Sequence, residues 1–376
     1  MRTLRILPLL LLAAAYSTAS ITAAQSFPGA TLTGRIVDLD QGGPLIGAHV
    51  FIAESMMGTT TDDDGRYRLD NVPLGAHRLY VSMLGFEPGI RDVLLREASV
   101  QVYDFSLEPA VLEAGEIIVE AERDDRWKER LERFTRNFIG ESPNAAEVTI
   151  VNPEVLDFTS GGGALRAFAS EPLVIENRAL GYTIRYFLKD FEAEPSRTKY
   201  DGEPLYEELE PASPAEAARW ETNRTKAFMG SFRHFLLATI AGRTEGQGFR
   251  TYSRPGMGNT LGGTFSSGGG LSERRFPLDP NNLLEPGEAP NEYVLELDGY
   301  VEIIYMGEEE DPAYYEWSRG QARRGARAQT SWITMERGPT IVDYKGDILD
   351  PYGVTFSGYL AFERVADEVP KEYRPR

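Results

Sequence analysis

The sequence predicts a mainly β protein in two folded units, an N-terminal β-sandwich and a larger β-rich domain carrying one or two helices. Three observations predict it. Between Thr31 and Glu108, short segments alternate apolar and polar residues with the period of two that a strand requires. Turn residues interrupt them at a spacing of roughly ten, the rhythm of a sandwich. From about Glu147 a second series of such segments begins, separated from the first by a charged stretch of helical period.

Along the chain, residues 1–24 come first. Arg2 and Arg5 precede an apolar run from Ile6 to Ala15, and small residues lead to Thr22-Ala23-Ala24. This is the order of a secretory signal peptide cleaved between Ala24 and Gln25, and the run is too short to span a bilayer. The expectation is an exported protein. No Cys occurs after the cleavage point, which argues against a lipid anchor there, or anywhere else, which excludes disulfides and thiolate metal sites. The 39 basic and 58 acidic residues give a formal net charge of −19. Such a surface repels nucleic acid and offers no basic patch to anionic lipid. No later stretch is long and apolar enough for a transmembrane segment of helical type.

The sandwich is expected over residues 30–109. Its strand candidates are TLTGRIVD, AHVFIAE, GRYRLDNV, HRLYVSML and SVQVYDFSL. Ala48, Val50 and Ile52 share one face, as do Leu79, Val81 and Met83. Asp64-Gly65 signals a type I′ hairpin, because both residues tolerate positive φ. In the last candidate the apolar phase shifts from Val100 and Val102 to Tyr103, Phe105 and Leu107, which one β-bulge would reconcile. His49, out of phase with Ala48 and Val50, is expected on the surface.

The run TTTDDDGRYRLDNVPLGAHRLYVSMLGFEP, with GRIVD and PLIGAHV before it, resembles the carboxypeptidase-regulatory-like domain. The resemblance implies a seven-stranded transthyretin-like sandwich, taken here as all antiparallel. It also implies relatives beside metallocarboxypeptidase domains or ahead of the outer-membrane transporters of Bacteroidetes-like bacteria. Periplasm or outer membrane is then the expected location.

Residues 110–143 are expected to link the two units through a strand and an amphipathic helix. Ile117, Ile118 and Val119 are apolar on both faces and form a candidate partner-docking strand. Trp127, Leu131, Phe134 and Phe138 make one stripe on the helix, best read as a packing face.

The β-rich domain is expected over 144–376. Its strand candidates include PLVIEN, YTIRYFLKDFEAE, EYVLELDGYVEIIYMG, TSWITMER and FSGYLAFERV. Ser213-Pro214-Ala215-Glu216 is a capping box that starts a helix carrying Trp220, Phe228, Phe232 and Phe235, with a bend at Gly230. Residues 242–271, rich in Gly and Ser, read as a mobile loop. PLVIENRALGYTIRYFLKDFE and the closing YGVTFSGYLAFERVADEVPKEYRP resemble the uncharacterised C-terminal region of exported regulatory-domain proteins, which implies no activity.

The chemistry-bearing residues offer little. His49, His77 and His234 lack metal-ligand spacing, so no metal and no cofactor is expected. Asp62-Asp63-Asp64-Gly65 is explained by a turn and lacks the spacing of a calcium loop. No Gly-x-Ser-x-Gly elbow or phosphate-binding loop is present. Aromatic residues crowd the last third: Tyr300, Tyr305, Tyr314, Tyr315, Trp317 and Trp332. Tyr314, Tyr315 and Trp317, after an acidic turn, form a candidate aromatic surface for a glycan or peptide. The expected function is a non-catalytic, exported binding or assembly module of the cell envelope, with envelope proteins, a glycan or a peptide as partner. The alternative is an exported hydrolase using carboxylates of the second domain.

Overall fold

The structure is a computed structural model that describes residues 29–110, 125–195, 197–254, 275–288, 292–318 and 327–375. The signal-like residues 1–24, the docking candidates Ile117, Ile118 and Val119, and residues 255–271 lie outside the described residues.

The first unit is a mainly β sandwich of two four-stranded sheets. In one, strand 30–38 lies between 66–72 and 100–102 and also pairs with 105–107. In the other, the order is 58–60, 49–52, 75–82, 89–95. The inward positions read from the alternation form the core: Ala48, Val50 and Ile52 lie beside Leu79, Val81, Val93 and Leu95 and pack with Leu32, Ile36, Tyr67 and Leu69 of the other sheet. The domain is not all antiparallel. Strand 30–38 pairs in parallel with both 100–102 and 105–107. The expected bulge is a complete break at Tyr103-Asp104, where Arg35 N–H donates to Asp104 Oδ1 at 2.7 Å. Across it the phase flips, leaving Val100 and Val102 63% and 65% exposed while Phe105 and Leu107 are buried.

The turn at Asp64-Gly65 also differs from the type I′ hairpin expectation, since it joins strands 58–60 and 66–72, which lie in different sheets and do not pair. Gly65 N–H donates to Asp62 O, and Gly65 is the one turn residue with positive φ, +72°. A type I′ turn needs positive φ at both central residues, so this is the alternative in which a single glycine carries the left-handed position. Asp62 Oδ1 accepts from the N–H groups of Asp64 and Arg66, which accounts for the aspartate run without a cation.

The second region holds two further sheet systems. A six-stranded sheet runs 156–161, 164–169, 182–193, 173–177, 148–150, with 198–208 on the other edge of 182–193. Helix α1 (Asp125–Phe138) lays the predicted stripe on it, burying Phe134 and Phe138 against Phe158, Tyr186 and Phe191. A five-stranded sheet runs 276–277, 249–254, 300–309, 328–334, 355–358, and a three-stranded sheet of 284–286, 293–295 and 340–342 packs in the same core.

Helix α2 (Pro214–Phe228) starts where the capping box placed it, with Ser213 Oγ accepting from Glu216 N–H. The chain breaks at Gly230, φ +83°, before α3 (Phe232–Ile240). Strand 249–254 lies within the segment read as a loop from 242, because it pairs with the long strand 300–309 whatever its own composition. FSGYLAFERV is a strand only to Gly358. The chain then turns into α5 (Tyr359–Phe362), burying Tyr359 and Phe362 against Tyr314 of α4 (Pro312–Trp317).

The two regions are welded. Phe51 and Tyr80, on the outward face of the sandwich, are buried by Phe187 and Leu205 of the six-stranded sheet. Ser55 bridges Leu205 in parallel, and Tyr206 N–H donates to Ser55 O. His49 therefore does not face solvent as expected. It is half-buried against Phe187, and burial lowers its pKa below the usual histidine value.

Candidate functional site

Between the two large sheets of the second region, closed on one side by the sandwich, lies a cavity of about 2370 Å³. Strand parity builds its walls. In strand 300–309, Val301, Ile303 and Tyr305 point into the apolar core, so Tyr300, Glu302 and Ile304 point into the cavity. In strand 328–334 the cavity residues are Thr330, Trp332 and Thr334, while Ile333 is in the core. The facing wall carries Tyr186, Thr198, Tyr200 and Gly202 of the six-stranded sheet. Only glycine fits at 202, because a Cβ would lie 2.3 Å from the Tyr186 ring and 2.6 Å from Phe187 O. The sandwich adds Glu54 and Arg78.

The third wall is the C-terminal segment. Glu363, Asp367 and Glu368 line the cavity, and burial raises the pKa of all three. Asp367 and Glu368 are pushed up to about 6, and Glu363 goes well above the ordinary carboxylate range, with repulsion from Asp367 adding to burial. Asp367 Oδ1 accepts from Ser142 Oγ and Asn144 Nδ2, both at 2.9 Å, while its buried Oδ2 has no hydrogen bond. These carboxylates are enclosed by protein yet border the cavity, the setting in which a carboxyl group holds its proton near neutral pH.

Where the sandwich meets this wall, charges are paired. Lys371 Nζ stands 3.5–3.7 Å from Asp343, Asp347 and Glu54, and Arg233 Nε donates to Asp347 at 2.6 Å. The attraction of these acids raises Lys371 well above its usual pKa despite burial. Glu54 holds an uncommon non-glycine positive φ of +60°, with its N–H on Pro204 O and its carbonyl on Lys371 N–H. The network is a fastening that also forms one end of the cavity.

The candidate aromatic residues divide. Tyr314 and Trp317 stack at 5.8 Å and line the cavity, but Tyr314 is 7% exposed and belongs to a wall with Tyr359 and Phe362, not to an open platform. Tyr315 is half-buried and is not among the lining residues. Docking residues Ile117, Ile118 and Val119 are outside the described residues. Glu302, Arg254, Asp367 and Glu368 were not singled out by sequence. The available signal was the single acid in YVEIIY, a charge on a strand otherwise apolar on both faces. Among the described residues no group of three or more His, Asp and Glu is arranged to hold a metal, and no helix is long and apolar enough to cross a membrane.

Residues 31–108 match the carboxypeptidase regulatory-like domain family. No curated protein matches the chain. Among solved structures, the Bacillus anthracis TIE protein is 17% identical over 22% of this chain and 16% of its own, with a TM-score of 0.20. Klebsiella pneumoniae 5-hydroxyisourate hydrolase is 22% identical over 22% of this chain and 91% of its own, TM-score 0.18. The 3-chlorocatechol 1,2-dioxygenase of Rhodococcus opacus is 14% identical over 22% and 61%, TM-score 0.18. At these scores no function is carried across.

Proposed function

We propose that this chain, with its carboxypeptidase regulatory-like domain at 31–108, is an exported, non-catalytic binding protein of the cell envelope whose ligand occupies the cavity of the second region. The size and lining of that cavity carry the reading. At about 2370 Å³ it exceeds the ~300–1,000 Å³ typical of small-molecule pockets, so it suits several linked units of an extended ligand. Acidic and basic side chains line it in near balance, although the chain as a whole is strongly acidic. Aromatic rings stand among them, which suits a polar, largely uncharged oligomer such as a glycan or a peptide. The sandwich braces this site, since its outward aromatic face is spent on Phe187 and Leu205.

Thermal unfolding of the full mature chain against a panel of neutral oligosaccharides and oligopeptides tests the reading. A ligand that binds the folded state raises the midpoint in proportion to RT ln(1 + [L]/Kd). Failure of every panel member to move the midpoint at millimolar concentration would overturn it.

One observation favours a second reading, a hydrolase. Glu363, Asp367 and Glu368 converge on the cavity with raised pKa values, as a general acid requires. Cleavage of a panel oligomer by the wild-type chain, abolished in Asp367→Asn, would replace binding by catalysis.

A further inference from the structure

We propose that the sheet wall around Glu302 is a subsite for one pyranose unit of a neutral oligosaccharide, an inference that rests on the cavity being the ligand site. Glu302 is 5% exposed and faces the cavity from the middle of its sheet. Its cross-strand neighbours are Tyr252 on one side and Trp332 on the other. Its Oε2 accepts no hydrogen bond. Two guanidinium groups flank it, Arg254 Nη2 at 3.9 Å from Oε1 and Arg275 Nη1 at 3.7 Å from Oε2. Both are close enough to attract as charges and too far to hydrogen-bond. Arg275 is held over the Tyr252 ring at 4.4 Å, and Arg254 Nε is buried without a hydrogen bond. Polar groups with unused bonding capacity thus stand in the cavity wall, where native interiors normally leave none.

The chemistry of that wall selects its occupant. A carboxylate only accepts hydrogen bonds, and a guanidinium only donates them. A ligand group that satisfies both must donate and accept, which a hydroxyl does. A ligand carboxylate would meet Glu302 as a like charge, and a ligand ammonium would meet two arginines. Adjacent hydroxyls of a pyranose present two such groups side by side, matching the paired atoms of a carboxylate and of a guanidinium. Trp332, directly across the strand, and Tyr300, two residues along the same face, are the aromatic side chains of this wall, and aromatic walls suit the C–H face of a sugar ring. A peptide amide also donates and accepts, but from opposite edges of the chain, so it satisfies one partner at a time.

Titration calorimetry of the full mature chain with cellohexaose, laminarihexaose, maltohexaose and mannohexaose, beside a Gly-Ser hexapeptide, tests the proposal. At least one hexaose is expected to bind at one per chain. Glu302→Gln, which keeps the shape and replaces one acceptor oxygen by a donor, should weaken that hexaose tenfold or more. Trp332→Ala should do the same, and Trp332→Phe, which preserves a ring in the wall, should cost less than fivefold. Hexaose binding that neither Glu302→Gln nor Trp332→Ala changes by more than twofold overturns the subsite while leaving the cavity reading intact. Binding of the peptide and of no hexaose overturns the sugar assignment. Absence of binding by every probe overturns both.

Discussion

The sandwich and the region that follows it are both built from β-strands, yet they bury opposite kinds of residue. The sandwich interior is aliphatic, and its few buried polar groups are satisfied locally: Thr61 Oγ1 donates to Leu45 O and accepts from Ala48 N–H, and the His77 ring bonds Pro73 O. The second region turns charges inward. Glu203, Glu302, Asp343, Lys345, Asp347 and Lys371 are all buried, several around a cavity. Buried charge is expensive and contributes little net stability compared with apolar packing. A region that keeps so much of it, beside a sandwich that keeps so little, supports the proposal that the ligand chemistry lies in the second region.

The largest expected effect tests whether the inward charges are mutually dependent. Replacing Lys371 by Met leaves Asp343, Asp347 and Glu54 around an apolar side chain, with Arg233, Lys345 and Arg374 as the remaining nearby cations. Breaking a buried pair from one side costs about 3–5 kcal/mol, so chemical denaturation should show a loss of that order. A loss under about 1 kcal/mol would mean that water reaches the network and that the contrast with the sandwich is overdrawn.

In the sandwich the matching test concerns backbone geometry. Gly65→Val would place a β-branched residue at φ +72° with its Cβ 2.6 Å from Ile36 O. The expected cost is about 2–3 kcal/mol, measured by thermal unfolding of the full chain. An unchanged midpoint would show that the sandwich tolerates distortion at the turn that carries the chain from one sheet to the other.

The same contrast explains what the sequence revealed. The sandwich core was legible because each strand carries its own period-two pattern, as in Ala48, Val50 and Ile52. The α1 stripe was legible because Trp127, Leu131, Phe134 and Phe138 repeat on one helix face. The Ser213 cap was legible because its chemistry is confined to four residues. Strand 198–208, TKYDGEPLYEE, was not, since a charged stretch with Gly and Pro forms a strand here only through its long pairing with 182–193. The parallel pairing of 100–107 was hidden for a similar reason, as the partner strand lies some seventy residues earlier. The site was hidden most completely. Glu302, Trp332 and Arg254 come from three strands, and Asp367 meets Ser142 and Asn144 across more than 220 residues. No local pattern encodes such meetings. Aromatic enrichment of the last third was the legible trace, and it pointed at Trp317 and Trp332 in the cavity wall together with Tyr315, which is not in it.

The smallest expected effect is the pH dependence that the carboxylates of the C-terminal wall contribute. Burial pushes Asp367 and Glu368 up to about 6 in the folded chain and Glu363 well above the usual carboxylate range, whereas ordinary carboxylates titrate near 4 when unfolded. Between those values the folded chain holds protons that the unfolded chain has released. Stability must then be greatest below about pH 4 for these groups and decline as pH rises toward 6 and beyond. A full shift of one unit is worth about 1.4 kcal/mol, reduced by screening for groups that border the cavity, so these three contribute a loss of about 1–2 kcal/mol between pH 4.5 and 7. Glu54 adds to that loss, and His77, whose pKa burial lowers, opposes it. Acidification also reduces the repulsion within a chain of net charge −19, which adds a decline of the same sign. The diagnostic is therefore the difference between wild type and Asp367→Asn, a variant whose side-chain oxygen can still accept from Ser142 and Asn144. Its midpoint should fall less steeply with pH than that of the wild type. Parallel profiles would mean that Asp367 is already ionised and hydrated at pH 4.5. The C-terminal wall would then be an ordinary wetted surface, and the hydrolase reading would lose the observation that favours it.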